Sequence, residues 1–259
     1  MILIYIVGPA GSGKSTLTGA FYEYLYDKYN ELNIITLNLD PGVKFLPYTP
    51  HVDIRDFITL EEVMSKYSLG PNGGLIVSTD LIVEYIEDLK FEISEYNDPD
   101  IVIIDTPGQM ELFAFRSTGP LIANSLGYGG IKKATLFLFD PNLCKNPNGF
   151  ISTLLLATSV QYRFLDVPQI NVLSKIDLVE KSIIKKIIRW SNDYNLLENE
   201  THRTERGLIR EMSSLIAQVF MQLGGSPSLI NVSATTNYGM DNLWGCIQRI
   251  LNYDESPLY

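Results

Sequence analysis

The fold of this chain is decided by Gly8-Pro9-Ala10-Gly11-Ser12-Gly13-Lys14-Ser15. The stretch matches in full the phosphate-binding pattern GxxxxGK followed by Ser or Thr, with the apolar run Ile2–Val7 before it and a predicted helix opening at Thr16. Its glycines let successive backbone N–H groups point at phosphate oxygens, and the amino end of the helix adds a positive dipole. Lys14 would neutralise the β- and γ-phosphates, and the Ser15 hydroxyl would ligate Mg²⁺. The sequence therefore predicts a nucleoside triphosphate site.

The composition indicates an acidic globular protein. Acidic residues outnumber basic ones by 30 to 20 among 259 residues, which gives a net charge of −10. This charge disfavours a general nucleic-acid or anionic-membrane surface, because both would repel the protein at long range. Cys144 and Cys246 lack the spacing of a disulfide framework or a zinc site, and the first apolar run is too short for a signal peptide or membrane span. We expect a cytoplasmic protein with no direct nucleic-acid or membrane partner.

Short apolar runs alternate with helical patterns, which is typical of repeated βα units. Strands are predicted over residues 2–7, 34–39, 101–104, 135–139, 169–173 and 229–232. Because continuous apolar runs suit strands buried on both faces, we expect a mainly parallel central sheet flanked by helices, the three-layer α/β fold of P-loop NTPases. No linker or repeat divides residues 1–259, so a single domain is predicted.

Helices are predicted over residues 14–32, 60–67, 81–96 and 113–126. Extra helices are expected near 181–223, in two amphipathic segments. Residues 181–190 have a basic face that we interpret as solvated. Residues 208–223 carry one apolar stripe that we interpret as a core-packing face, and Gly224-Gly225 would end that helix.

Candidate catalytic residues follow the predicted strands, because ligands of an open parallel sheet sit at the carboxyl ends of its strands. Asp105-Thr106-Pro107-Gly108-Gln109 follows the third strand. Asp105 would hold Mg²⁺ through water, the Gly108 N–H would meet a γ-phosphate, and Gln109 would orient a water. Asp40 follows the second strand, opposite Asp105, where a carboxylate would orient or deprotonate the attacking water. An ordinary Asp-Pro turn is the alternative interpretation of Asp40.

The base-reading residues are predicted at the ends of the last two strands. Guanine presents two adjacent N–H donors that one carboxylate accepts, whereas adenine presents an acceptor at N1, so Asp177 favours guanine. In the same stretch the Lys175 stem would lie across the purine, while Ser174 stands where GTPases more often have Asn or Thr. Ser233-Ala234 fits the last GTPase element, in which the alanine N–H meets the guanine carbonyl.

Together these motifs resemble the GPN-loop GTPases over nearly the whole chain. The family is named after the tripeptide Gly70-Pro71-Asn72, which lies here in a Gly-rich insertion near 60–80 that we predict to be a projecting turn. The Asn72 amide at its tip has no evident local task. The other matching stretches are 38–41, 52–55, 105–113 and 174–178. One departure is Gly42, where related sequences often have Ala.

The resemblance implies a SIMIBI-class fold, a homodimer, and Mg²⁺-dependent hydrolysis of GTP to GDP and phosphate. It also implies that Asn72 reaches the partner's phosphate site and that Asp40 orients the water. Family relatives are linked to RNA polymerase assembly, so polymerase subunits are possible clients, and a nucleotide-gated assembly factor whose hydrolysis resets partner binding is one alternative. A P-loop kinase is another, although Asp177 argues against it. No arginine finger is evident, with Arg55 and Arg116 left as candidates.

Overall fold

A computed structural model describes residues 1–127, 130–222 and 228–253 of the chain. Its strands are β1 (Ile2–Val7), β2 (Ile34–Asn38), β3 (Val52–Asp53), β4 (Ile101–Asp105), β5 (Lys132–Phe139), β6 (Gln169–Leu173) and β7 (Leu229–Asn231). They pair in parallel in the order β3-β2-β4-β1-β5-β6-β7. The predicted parallel sheet is confirmed. The sequence did not predict β3, because a strand of two residues is too short to show a period.

Helices connect the strands and cover the sheet. They are α1 (Lys14–Lys28), α2 (Leu60–Tyr67), α3 (Pro71–Leu81), α4 (Ile86–Glu95), α5 (Met110–Ala114), α6 (Thr118–Leu126), α7 (Pro147–Arg163), α8 (Lys181–Asn192), α9 (Tyr194–Thr204), α10 (Gly207–Gln222) and α11 (Met240–Tyr253). No helix of the described residues is long and apolar enough to cross a bilayer.

Several predicted helix boundaries are wrong for local reasons. The first helix ends at Lys28, where the Tyr29 N–H closes the last turn, and the helix predicted from residue 81 begins as a 3₁₀ turn over Ile82–Tyr85. The helix predicted over 113–126 is divided into α5 and α6. A continuous helix would place Pro120 in its interior, where proline has no N–H for the carbonyl of Arg116. That carbonyl accepts a hydrogen bond of 2.9 Å from Arg163 Nη2 instead.

Alternate residues of β1 supply two hydrophobic clusters. Leu3, Tyr5 and Val7 join one cluster, whereas Ile4 and Ile6 join the other. Since successive side chains of a strand point to opposite faces, β1 is covered on both sides, as its continuous apolar run predicts. The central strand therefore holds the phosphate-binding stretch at the middle of the sheet.

The core-packing interpretation of residues 208–223 is wrong for most of the stripe. Its exposed members are Leu208, Ile209, Met212, Leu215 and Val219, which are 52–70% accessible. Helix α10 instead packs through Ser213, Ser214, Ala217 and Phe220, and the two serines bond to Asn148 (2.7 Å) and Glu198 (2.6 Å). The buried face is thus narrower than the predicted stripe, and most of the large apolar side chains lie on the outward face. The predicted stop at Gly224-Gly225 lies outside the described residues.

Candidate nucleotide site

The strand register brings the predicted catalytic segments together. In β4, Asp105 pairs with Ile6 of β1 on one side and with Asn38 of β2 on the other. The carboxyl ends of three neighbouring strands thus carry the phosphate loop, the Asp105 segment and the Asp40 segment. This is the edge at which an open parallel sheet binds ligands.

The phosphate loop has the backbone that its sequence predicts. Gly11 and Gly13 have φ angles of +72° and +96°, a region that side chains disfavour. Lys14 is only 5% exposed, and its Nζ donates to the carbonyl oxygens of Gly8 (2.9 Å) and Pro9 (3.3 Å). Burial lowers the pKa of Lys14, and the nearby carboxylates oppose that shift. The ammonium group is therefore held over the loop. Thr16, at the start of α1, is exposed.

The phosphate loop, the Asp40 segment and the Asp105 segment meet at Gly108. Its N–H donates to Asp40 Oδ2 at 2.7 Å, and its carbonyl oxygen accepts from Lys14 Nζ at 2.8 Å. The other oxygen of Asp40 accepts from the N–H of Gly42 at 2.9 Å. This is a hydrogen bond within the Asp-Pro turn, the alternative interpretation of Asp40. Asp40 thus both shapes its own turn and reaches the segment after β4.

Asp105 is a buried carboxylate with one free oxygen. It is 1% exposed, and burial raises its pKa to about 6, a shift that the Ser15 hydroxyl and Lys14 oppose. Its Oδ2 accepts from the Tyr48 hydroxyl at 3.2 Å. Within the described ranges Oδ1 has no hydrogen-bond partner. A buried oxygen left in this way beside Ser15 suits a Mg²⁺-bound water, so the residues present fit the ion.

The GPN tripeptide is the start of a helix, so the predicted turn is wrong. Gly70 is extended (φ −75°, ψ 172°), and Pro71 is the first residue of α3, a position that suits its fixed φ and missing N–H. Asn72 is exposed in that first turn, and its side chain makes no hydrogen bond to the described residues. Gln109 is likewise exposed, immediately before α5.

The residues predicted to read the base lie together after the ends of β6 and β7. Asp177 is exposed, its Oδ2 accepts from Thr235 Oγ1 at 3.0 Å, and a hydrogen bond from the Ser233 hydroxyl contributes most to lowering its pKa. The carboxylate is thus kept ionised, as an acceptor must be. Ser233 is buried, and Ala234 beside it is half-buried.

Ser174 and Lys175 tie the end of β6 to the phosphate loop. Ser174 Oγ lies 2.9 Å from the carbonyl oxygen of Ser12, so the short hydroxyl reaches the loop. Lys175 donates to the carbonyl of Gly11 and forms a 2.9 Å ion pair with Asp140, and its stem passes beside Gly13.

Sequence reasoning missed Asp140 and Tyr48. Asp140 directly follows the predicted strand 135–139, so the rule applied to the other strand ends would have found it. Tyr48 lies between two prolines in a loop, where no period marks it. The candidate arginine fingers are both engaged within the chain, Arg55 with Asp53 (2.6 Å) and Arg116 with Asp80 (2.5 Å).

Comparison with known proteins gives concordant matches. A family model described as a conserved hypothetical ATP binding protein matches residues 6–253. A GPN-loop GTPase of Pyrococcus abyssi is 33% identical over 246 residues, which cover 93% of this chain and 94% of the relative. GPN-loop GTPase 3 of Dictyostelium discoideum is 33% identical over 249 residues, or 94% of this chain and 86% of the relative. The crystal structure of a GTPase from P. abyssi in apo form matches with a TM-score of 0.82 and 30% identity, covering 96% of each chain.

The parallel sheet with the phosphate loop after its central strand defines a P-loop fold, and the matched relatives are named GTPases. With relatives of this similarity over nearly the full length, the chain belongs to the GPN-loop GTPase family and is a GTP hydrolase. The family model's description names ATP, whereas the names of the relatives and of the solved structure say GTPase.

Proposed function

We propose that this chain is a Mg²⁺-dependent GTPase that works as a homodimer, with Asn72 of each protomer completing the phosphate site of the other. The observation that carries the catalytic assignment is the convergence of Asp40 and Lys14 on the Gly108 peptide, at 2.7 and 2.8 Å. It joins a cation for the phosphates, an N–H for the γ-phosphate and a carboxylate for water within one small volume.

Ground-state binding belongs to the phosphate loop. Its N–H groups and Lys14 would hold the phosphates, and Thr16 would lie at the mouth of the site beside the start of α1. Ser15 and Asp105 would hold Mg²⁺, the first directly and the second through water. When bound, the ion neutralises charge on the β- and γ-phosphate oxygens. Among the described residues no cluster of three or more His, Cys, Asp or Glu is placed to hold a metal ion.

Hydrolysis would use Asp40 and Gln109. A γ-phosphate that accepts from the Gly108 N–H competes with Asp40 Oδ2 for that donor, and so frees the carboxylate for a neighbouring water. The water oxygen bonds to the γ-phosphorus while the bond from phosphorus to the β–γ bridging oxygen breaks. GDP leaves, and the proton that Asp40 draws from the water ends on the released phosphate. Gln109, exposed at the start of α5, would orient the same water.

The homodimer proposal is supported by Asn72. Its amide is exposed in the first turn of α3 and has no hydrogen bond to the described part of its own chain. An amide both donates and accepts, so it suits a site where phosphate oxygen and water must be held together.

We also infer one GTPase domain over residues 1–259, supported by the single sheet, and a reducing cytoplasmic setting, supported by the free thiols of Cys144 and Cys246.

Base selection provides the test of the nucleotide assignment. Asp177→Asn should weaken GTP binding by about 10- to 150-fold, the value of a hydrogen bond to a charged group, and improve binding of xanthosine triphosphate, because xanthine presents a carbonyl where guanine presents its amine. Equilibrium binding of both fluorescent nucleotides measures the exchange of preference. Asp193→Asn is a matched control, since Asp193 caps α9 away from the loop. Unchanged GTP affinity in Asp177→Asn would remove this carboxylate from the site.

A nucleotide-gated assembly factor is a second candidate function, and the outward face of α10 favours it. Leu208, Met212 and Leu215 are 70%, 53% and 62% exposed, an unusual density of apolar surface for one helix. RNA polymerase subunits are the clients that the family resemblance implies.

If the protein is such an assembly factor, purified polymerase subunits should bind it at least about 10-fold more tightly when it holds a non-hydrolysable GTP analogue than when it holds GDP. This is the usual size of coupling between two binding sites. Changing Met212 and Leu215 to Gln should remove that binding while GTP affinity is unchanged. Equal affinity in both nucleotide states would contradict the gated role and leave a stand-alone GTPase. Release of phosphate with no acceptor present distinguishes either role from a kinase.

A further inference from the structure

Tyr48 packs against a glycine inside the helix that follows the phosphate loop. Gly19 is buried within α1, and a Cβ built there would lie 2.9 Å from Tyr48 Cβ and 3.3 Å from its Cγ. Glycine in a helix interior costs about 1 kcal/mol relative to alanine. Helix α1 thus lacks a side chain at the position where the tyrosine ring rests, and this contact fixes where the ring can lie.

The loop that carries Tyr48 is anchored on both sides of it. Before Tyr48, the carbonyl of Pro41 accepts from Leu60 N at 3.0 Å, and the carbonyl of Val43 accepts from Arg55 Nη1 at 3.1 Å. After it, His51 N donates to the carbonyl of Thr36 at 3.0 Å. The ends of the loop are therefore held by β2, α2 and the segment after β3, while Tyr48 itself is placed by its packing on Gly19.

The Tyr48 hydroxyl makes a polar contact with Asp105. It donates to Oδ2 at 3.2 Å, whereas Oδ1 is buried and has no partner in the part of the chain that the structure describes. A hydrogen bond to one oxygen of a carboxylate restricts rotation of the whole group about χ2. Tyr48 thereby determines the direction in which the free Oδ1 points.

We propose that Tyr48 is a positioning residue for the magnesium ion, acting through Asp105. This inference rests on the proposed function, which assigns the ion to Ser15 and Asp105. A carboxylate that holds an ion through water must present one oxygen in a fixed direction, and groups that orient such partners are worth about 10- to 100-fold in metal affinity.

The experiment measures Mg²⁺ dependence of nucleotide binding rather than turnover. Binding of a fluorescent, non-hydrolysable GTP analogue is titrated with MgCl₂, with EDTA as the zero point. Tyr48→Phe should raise the half-saturating Mg²⁺ concentration about 10-fold and leave the affinity in EDTA unchanged. Gly19→Ala should act in the same direction, because its methyl group displaces the ring. Alanine favours the helix, so a weakened α1 cannot explain that result.

Tyr96→Phe is the matched control. The Tyr96 hydroxyl donates to the carbonyl of His51 at 2.8 Å, so this variant loses a tyrosine hydroxyl that holds the same loop but not Asp105. An equal shift in Tyr96→Phe, or a Tyr48→Phe value within about twofold of wild type, overturns the inference. If the wild-type protein binds the analogue equally well in EDTA and in MgCl₂, the proposed Mg²⁺ site itself fails, a result distinct from the other two.

Discussion

Asp40→Ala is expected to slow GTP hydrolysis about 100-fold or more while GTP affinity is retained. The carboxylate would act on the water rather than on the phosphates, so its loss affects the transition state and not the ground state. Single-turnover hydrolysis and equilibrium binding of a GTP analogue separate the two effects. Gln109→Ala should change the same step in the same direction.

Asp56→Ala is the control for Asp40→Ala. Asp56 is an exposed carboxylate in the segment after β3, and neither of its oxygens bonds to Gly108. Its removal should leave both binding and turnover within about twofold of wild type, as for most surface substitutions. Equal losses of binding and turnover in Asp40→Ala would instead assign Asp40 to its turn, through the 2.9 Å bond from Gly42.

Two inactive variants are expected to restore activity when mixed. Lys14→Ala alone should fail to bind nucleotide, and Asn72→Ala alone should bind it but hydrolyse poorly. In a mixed dimer the Lys14→Ala protomer lends its Asn72 to the intact loop of the other. At equal mixing about a quarter of the wild-type rate should return, because half of the dimers are mixed and each holds one working site.

The control mixture replaces Asn72→Ala by Asp40→Ala. Every intact phosphate loop in that mixture then lacks its own Asp40, which belongs to the same chain as the loop, so no activity should return. Subunit exchange is verified by native mass spectrometry with one protomer isotope-labelled. Mixed Lys14→Ala and Asn72→Ala dimers that remain as inactive as the separate variants would confine Asn72 to its own chain.

The central strands and the phosphate loop could be predicted because their signals are local. A buried parallel strand is a short apolar run, and the loop pattern is contiguous in sequence. The prediction for the GPN segment is wrong because glycine occurs both in turns and where two helices pack closely. The Gly-rich stretch near 60–80 predicts a turn, yet a Cβ built on Gly74 within it would lie 2.5 Å from Met64 Cγ and 2.8 Å from Leu60 Cδ1. Its lack of a side chain lets α2 and α3 pack closely, and the sequence alone does not reveal that partner.

The same limit explains the other errors. The spacing of apolar residues along α10 does not distinguish an outward face from a buried one. It shows that the helix has an apolar side and a polar side, but not which side packs against the rest of the protein. Tyr48 became a candidate only once α1 and the loop were placed against each other, since Gly19 and Asp105 are far from it in sequence.

The three carbonyl contacts of Lys14 have a consequence for nucleotide affinity. A lysine side chain loses about 1.5–2 kcal/mol of rotamer entropy when it is ordered. Here the Nζ already bonds to the carbonyl oxygens of Gly8, Pro9 and Gly108, so most of that entropy is lost when the protein folds, and an arriving phosphate oxygen has only to replace one of these three acceptors. Preorganisation of this kind leaves more of the electrostatic attraction to the phosphates available as affinity. A planar guanidinium cannot reproduce three converging bonds from one nitrogen, so arginine at this position would retain the charge but not the preorganisation.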